Sequence, residues 1–304
     1  MKKQICLASI LPMIALLLLW PKALQALEAQ VYVITDWIAE CPAGDRSWWD
    51  NMGDEWYNEI TDCRWLFGHD DCFSRDRRQV NGNMRSGWFA EEAFHTWGRD
   101  SRFVDEGDAA LLGMHGGDAG GYWRGKCRRT QAGDGTVSGV DPCHINAVNE
   151  LRVGDFDLEF LHLSSCHSLD DNIMTNAWQV FSRPHATQVL HQLDGFHGCM
   201  WIGRSYVDDY GDFANDAFDM SIALAWVENM YRGGIGGTNY EQCPVAYAIG
   251  ASKRDCISRL NNERYDHVLS DPVSPLTSPF TACWLAYEDC SPDCEDPWFS
   301  DLTD

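Results

Sequence analysis

The sequence predicts an α/β sandwich with a mostly parallel central sheet. Three observations carry this. Short apolar runs such as "VYVIT" (31–35), "AALLGM" (109–114) and "PVAYAIGA" (244–251) lack the polar alternation of a strand with one wet face. Between them lie stretches with apolar residues at helical spacing, notably "NDAFDMSIALAWVENMY" (215–231). No internal repeat and no low-complexity linker interrupts the alternation, so one domain with interleaved strands and helices is the economical reading.

In chain order, "VYVIT" opens the domain as a β-branched strand. "RSWWDNMGDEWYNEI" (46–60) reads as an amphipathic helix with Ser47 as its N-cap. Residues 61–107 are polar and charged; irregular structure is expected there, with one strand and a short helix over "AEEAFHTW" (90–97). "AALLGM" is the second clear strand. A glycine- and cysteine-bearing excursion, 116–154, separates it from the strand "DLEFLHLSS" (157–165). A helix over 172–181, a buried strand "FHGCMWIG" (196–203), the helix 215–231 and the strand 244–251 follow.

The N-terminus has the order of a secretory signal peptide: Lys2 and Lys3, an apolar core over 10–20, then small residues at Ala23, Ala26 and Ala29. The core is shorter than the roughly 20 apolar residues that a membrane span needs. The expected organisation is a signal peptide at 1–29, an α/β domain at 30–251, and an acidic, cysteine-bearing extension at 252–304 packed on that domain. Secretion or export to a periplasm follows, with no membrane span after the signal is removed.

Formal net charge is −23. Such a surface repels phosphate backbones, which excludes nucleic acid as a partner. Thirteen cysteines, of which Cys6 falls in the signal segment, agree with an oxidising compartment. Proximity in sequence suggests the bridges Cys63–Cys72, Cys127–Cys143 and Cys243–Cys256, with Cys41, Cys283, Cys290 and Cys294 left to supply two more. Spacing alone does not fix the connectivity. Cys166 and Cys199 fall outside this set.

Ligands of open parallel sheets bind at the carboxyl ends of strands. Two residues with chemistry to offer stand at such ends, His115 in "AALLGMHGGDAGG" and Cys166 in "LEFLHLSSCHSLD". A cysteine nucleophile needs a partner that can protonate a leaving amine, and imidazole titrates in the right range. The oxyanion formed by attack needs backbone N–H donors, which Gly116 and Cys166 could supply. Asp118, Ser165 and His167 are candidates for supporting roles. The plainer readings are a core histidine at His115 and a disulfide between Cys166 and Cys199.

Strand–His–Gly followed by strand–small–Cys, here "LLGMHGG" and "FLHLSSC", resembles the caspase, legumain and gingipain superfamily of cysteine peptidases. The resemblance implies a caspase-like three-layer α/β/α sandwich, Cys166 as nucleophile and His115 as general acid/base, acting on a peptide or protein substrate. Two positions depart from that pattern: Ser165 stands where Ala or Gly is usual, and "CHSLDD" lacks the following glycine. These departures keep open an inactive binding or surface-interaction protein on the same scaffold, or a peptide transamidase.

No cofactor is expected. "GMHGGDAGG" lacks the dinucleotide-binding order, and no "GxSxG" elbow is present. A mixed zinc site of His115, Cys166 and His167 lacks ligand spacing of the C-x-x-C or H-E-x-x-H kind. The many acids leave structural calcium open, although no "DxDxDG" loop occurs.

Overall fold

A computed structural model describes residues 27–37, 43–62, 72–81, 84, 86–92, 95–118, 123–126, 144–146, 153–170, 189–237, 239–272 and 281–291. The strands in chain order are β1 (Glu28–Val33), β2 (Ser74–Val80), β3 (Ala109–Gly113), β4 (Gly116–Asp118), β5 (Trp123–Lys126), β6 (His144–Asn146), β7 (Phe160–Ser164), β8 (Gln192–His197), β9 (Cys243–Gly250) and β10 (Thr281–Ala286). Seven form the central sheet in the order β10-β9-β8-β7-β3-β1-β2. From β2 to β8 every pairing is parallel, and only β9 and β10 are joined antiparallel. The α/β class and the mostly parallel sheet are therefore as the sequence predicts. The excursion after β3 forms a separate three-stranded antiparallel sheet of β4, β5 and β6.

Because strand side chains alternate in direction, the sheet builds two cores. Val31, Val33, Leu111, Phe160, Ala246 and Ala248 face one side. They meet four helices: α1 (Trp48–Ile60), α2 (Val207–Asp219), α3 (Ile222–Met230) and α4 (Lys253–Asn262). Tyr32, Leu112, Leu161, Leu163, Leu193 and Tyr247 face the other side, against Phe89, Val104, Val153, Leu158 and Leu169. The helix at α1 follows from its spacing: Trp49, Met52, Trp56 and Ile60 are all buried on one stripe. Gly53 lets this helix lie directly on β1, since a Cβ there would stand 3.1 Å from Val31 and 3.2 Å from Val33. Ser47 occupies the N-cap position, but its side chain makes no capping bond.

Two of the expected elements need correction. The helix over 215–231 is two helices, broken at Met220, and Ser221 starts the second by accepting the Leu224 N–H at 3.3 Å. The strand expected over 196–203 runs instead over Gln192–His197, and Gly198 leaves it with φ 72°. The C-terminal segment is stapled as expected, and it also supplies α4 and the edge strand β10, so it is woven into the sheet. The expected helix over 172–181 lies outside the described residues, as does the expected signal peptide, 1–29, as far as residue 26; Glu28 and Ala29 at its end belong to β1, with Ala29 buried.

The bridge Cys243–Cys256 is not formed. Cys243 pairs with Cys290 and Cys256 with Cys283, each at a Cα–Cα distance of 6.0 Å. The reason is geometric. Cys243 begins β9, whereas the Cys256 sulfur lies 3.2 Å from the carbonyl oxygen of Ala248, five residues further along. Five residues of strand span about 17 Å, beyond the reach of any disulfide. Cys283 of β10 is in register with Ala248, and so meets Cys256. Cys72 and Cys199 are also disulfide-bonded; Cys63, Cys127 and Cys143 lie outside the described residues. These bridges are compatible with an extracellular or periplasmic location. Among the described residues no helix is long and apolar enough to cross a membrane.

Acids gather at the amino end of the sheet. Burial, then Asp108 and Asp157, pushes the Glu159 carboxyl up to about 10 from its ordinary 4.5. A buried oxygen, Oε2, has no hydrogen-bond partner among the described residues. The folded protein thus holds a proton here that the unfolded chain releases, so this group's stabilisation is complete at acid pH and is lost as pH rises toward 10. Glu159→Gln keeps the shape and removes the charge. It should raise Tm at pH 8, by about 2–4 °C per kcal/mol relieved, and leave Tm near pH 4 unchanged. Thermal unfolding at the two pH values checks this; an equal shift at both would exclude the ionisation argument.

Candidate functional site

β3 and β7 are paired neighbours in parallel, with Gly113 opposite Ser164. His115 and Cys166 each lie two residues beyond that pair. They therefore leave the sheet at the same level, on strands about 4.8 Å apart. Their side chains also share a side. His115 packs edge-on against Trp49 of α1, with ring centroids 5.2 Å apart, and Cys166 packs against the same helix-side core.

Cys166 is the free cysteine of the described residues and is partly exposed. Its sulfur accepts the Met200 N–H at 3.4 Å, and its thiol donates to the Met200 carbonyl at 3.7 Å. Burial pushes the thiol up from its ordinary value, against the Met200 hydrogen bond, while Asp170 raises it further and Arg46 lowers it. The resting group is therefore the neutral thiol. The expected competitor, a Cys166–Cys199 bridge, is absent: Cys199 is in a disulfide and Cys166 is not.

The turn carrying Cys166 is held by many bonds. Ser168 Oγ donates to the Ser165 carbonyl at 2.8 Å and accepts the Phe196 N–H at 2.9 Å. The Leu169 N–H reaches the Phe196 carbonyl at 3.0 Å, and the His167 N–H reaches Gly198 at 2.7 Å. His167 takes the left-handed conformation, φ 55°, and its Nδ1 bonds Asp170 at 2.8 Å. Asp170 in turn accepts the Gly198 N–H at 2.7 Å. Gly195 is required beneath this turn, because a Cβ would come within 2.4 Å of Ser168 Oγ.

His115 sits in a cradle of Trp37, at 4.7 Å between centroids, and Trp49. Its Nε2 lies 2.8 Å from the Gly44 carbonyl. A carbonyl only accepts, so Nε2 carries the proton and Nδ1 is the ring's basic nitrogen. Trp49 also donates its indole N–H to Ser164 Oγ at 3.1 Å, and Ser164 shares a 2.6 Å hydrogen bond with Tyr210. One helix side chain thus touches the histidine and the strand end that precedes the cysteine.

Gly116 opens β4, opposite Gly125, and Ser165 is buried with its N–H on the Leu163 carbonyl at 2.9 Å. Asp118 ends β4, and its side chain lies outside the described residues. Sulfur and imidazole are brought to one end of the sheet, but the hydrogen bonds of the sulfur go to Met200 and not to His115. Among the described residues, none of the groups spaced to hold a metal includes His115, Cys166 or His167, so the mixed zinc set is not assembled.

The family model of a domain of unknown function, DUF6345, matches residues 35–285, most of the chain. The chain belongs to the DUF6345 family. No curated protein matches it. The DUF6345 span takes in the strand ends bearing His115 and Cys166 and also α4 and nearly all of β10, so it crosses the boundary that the sequence suggested at 251/252. Trp37, Gly44 and Trp49 lie inside it. Sequence reasoning missed these three and Met200 as parts of the site. The one local signal was the paired tryptophans of "RSWWDN" at the start of a helix.

Proposed function

We propose that this protein is an exported cysteine peptidase of the caspase-like kind, cutting peptide bonds through an acyl-enzyme on Cys166. The observation that supports it best is a free thiol, in a chain rich in disulfides, level with a histidine at the neighbouring strand end. In this reading the thiol passes its proton to His115 Nδ1 as sulfur attacks the substrate carbonyl. The amides of Gly116 and Cys166 receive the oxyanion. His115 then donates that proton to the departing amine, and water releases the acyl group. The charge of Arg46, which favours thiolate, acts in the same direction. The signal segment and the disulfides agree with action outside the cytosol.

A second reading, an inactive binding protein on this scaffold, has one observation in its favour: the sulfur bonds the Met200 backbone in place of the imidazole. Peptide libraries and an electrophilic peptide probe separate the two. The peptidase reading expects labelling at Cys166 alone, no activity in Cys166→Ala, and a loss of about 10²–10⁴-fold in His115→Ala. Activity retained in both variants would refute it. A folded wild-type protein inert to probe and library would favour the binding protein. Transfer of the acyl group to an added amine, in preference to water, would reassign the site as a transamidase.

A further inference from the structure

Three carboxyl groups meet on the opposite end of the molecule, before the strands that carry the candidate site. Glu91 and Asp100 belong to the segment leading toward β3, and Asp155 to the turn leading into β7. One oxygen from each lies within 4.8 Å of the others. Glu91 is only 3% exposed and Asp100 is completely buried. Three acids brought this close repel one another, and burial adds to the cost.

A neighbour shows what a structural carboxylate looks like here. Asp105 is also buried, and it accepts four backbone N–H groups, from Gly154, Asp155, Phe156 and Leu158, at 2.9–3.2 Å. Those bonds fix the turn that carries Asp155, although burial and the adjacent Asp155 carboxyl still push the Asp105 carboxyl well above its ordinary value. Asp100 differs. Its Oδ1 accepts the Glu92 N–H at 3.3 Å, but its Oδ2 is buried with no hydrogen-bond partner among the described residues. No described residue forms an ion pair with it. An orphaned buried oxygen in a ring of acids marks a place for a cation.

We propose that Glu91, Asp100 and Asp155 bind a calcium ion that clamps the segment before β3 to the turn before β7. An all-oxygen donor set selects a hard cation. Calcium–oxygen bonds of about 2.4 Å set a limit of about 4.8 Å between two oxygens on one ion, and the three carboxyl groups meet it. Water and backbone carbonyls complete the shell. The ion joins residues far apart in sequence and lies away from Cys166, so its role is to stabilise the fold, whatever reaction the other end performs.

The test uses the full mature chain, stripped with EDTA and titrated with calcium in thermal unfolding and calorimetry. The wild type should show a saturable rise in Tm, since an ion bound only by the folded state stabilises it. Asp100→Asn should bind calcium at least about tenfold more weakly. Its metal-free form should melt at or above the metal-free wild type, because one of three mutually repelling charges is gone. Should Asp100→Asn fail to fold, Glu91→Gln is read by the same two criteria. No calcium dependence in the wild type would overturn the proposal. So would a full calcium response in the variants, which would place the ion elsewhere. The readouts are thermal and calorimetric, so a failed peptidase assay leaves this site unaffected.

Discussion

Asp194→Ala should cost the fold about 3–5 kcal/mol, the usual loss when one partner of a buried, hydrogen-bonded ionisable pair is removed. Asp194 of β8 stands in register with His162 of β7, and the His162 Nδ1 is 2.7 Å from its carboxylate. The other ring nitrogen bonds the Tyr265 hydroxyl at 2.8 Å, and the Gln192 amide donates to both Asp194 oxygens at 2.8 and 3.0 Å. His162 and Asp194 are fully buried, and the imidazole is boxed by Trp56, Phe213 and Trp226. Burial raises the Asp194 carboxyl above its ordinary value, and the bonds from His162 and Gln192 oppose that rise. Alanine would strand the imidazole, the Gln192 amide and a void in one place. Denaturant unfolding measures the loss. The sharper check is the double variant His162→Phe/Asp194→Leu, which removes both polar partners and should cost less than Asp194→Ala alone. A single-variant midpoint equal to wild type would show that the network carries no stability.

That network was invisible in the sequence, and the reason applies elsewhere. In "DLEFLHLSS" the histidine looks like one polar residue in an apolar strand; only the register with β8 gives it a partner, 32 residues away. What the sequence does reveal is local. The largely apolar strands β1, β3, β7 and β9 stand out because both their faces are buried. β2, "SRDRRQV", does not, because it is an edge strand whose arginines pair on either side of the sheet, Arg78 with Asp50 and Asp54 of α1 and Arg77 with Glu106. β10 escapes for the same reason, with Trp284 55% exposed. The break at Ser221 is hidden because the apolar spacing continues across it, and only the capping bond marks a new start.

The same division runs through the candidate site. His115 and Cys166 are legible because each ends an apolar run, a property of a dozen consecutive residues. Their being level and on one side depends on pairing Gly113 with Ser164, which no local pattern encodes. The alternation along β7 then sets His162, Ser164 and Cys166 on the helix side in succession: the first in a buried polar network, the second bonded to Trp49 and Tyr210, the third at the surface. The disulfides follow suit, since Cys283 and not Cys243 is the residue that the sheet sets opposite Ala248.

Trp49 is where the fold and the site meet, and its variants should separate the two. Trp49→Ala removes a side chain that is 2% exposed between α1 and the sheet, and should cost about 3–5 kcal/mol. Trp49→Phe keeps most of the packing and loses only the indole N–H bond to Ser164, whose hydroxyl retains Tyr210, so about 1 kcal/mol is expected. The site should respond in a different proportion. The His115 ring rests on Trp37 and Trp49 with its Nε2 on the Gly44 carbonyl, and Trp37 itself leans on Trp49 at 6.2 Å. With alanine the cradle loses one wall and the support of the other. The His115 ring-proton NMR resonances, which the two indole rings displace, should then move toward those of a histidine in water, while in Trp49→Phe the Gly44 and Trp37 contacts should hold them closer to wild type. Equal stability losses in the two variants would assign Trp49's contribution to its hydrogen bond. Unmoved His115 ring resonances in Trp49→Ala would show that the histidine is positioned without Trp49.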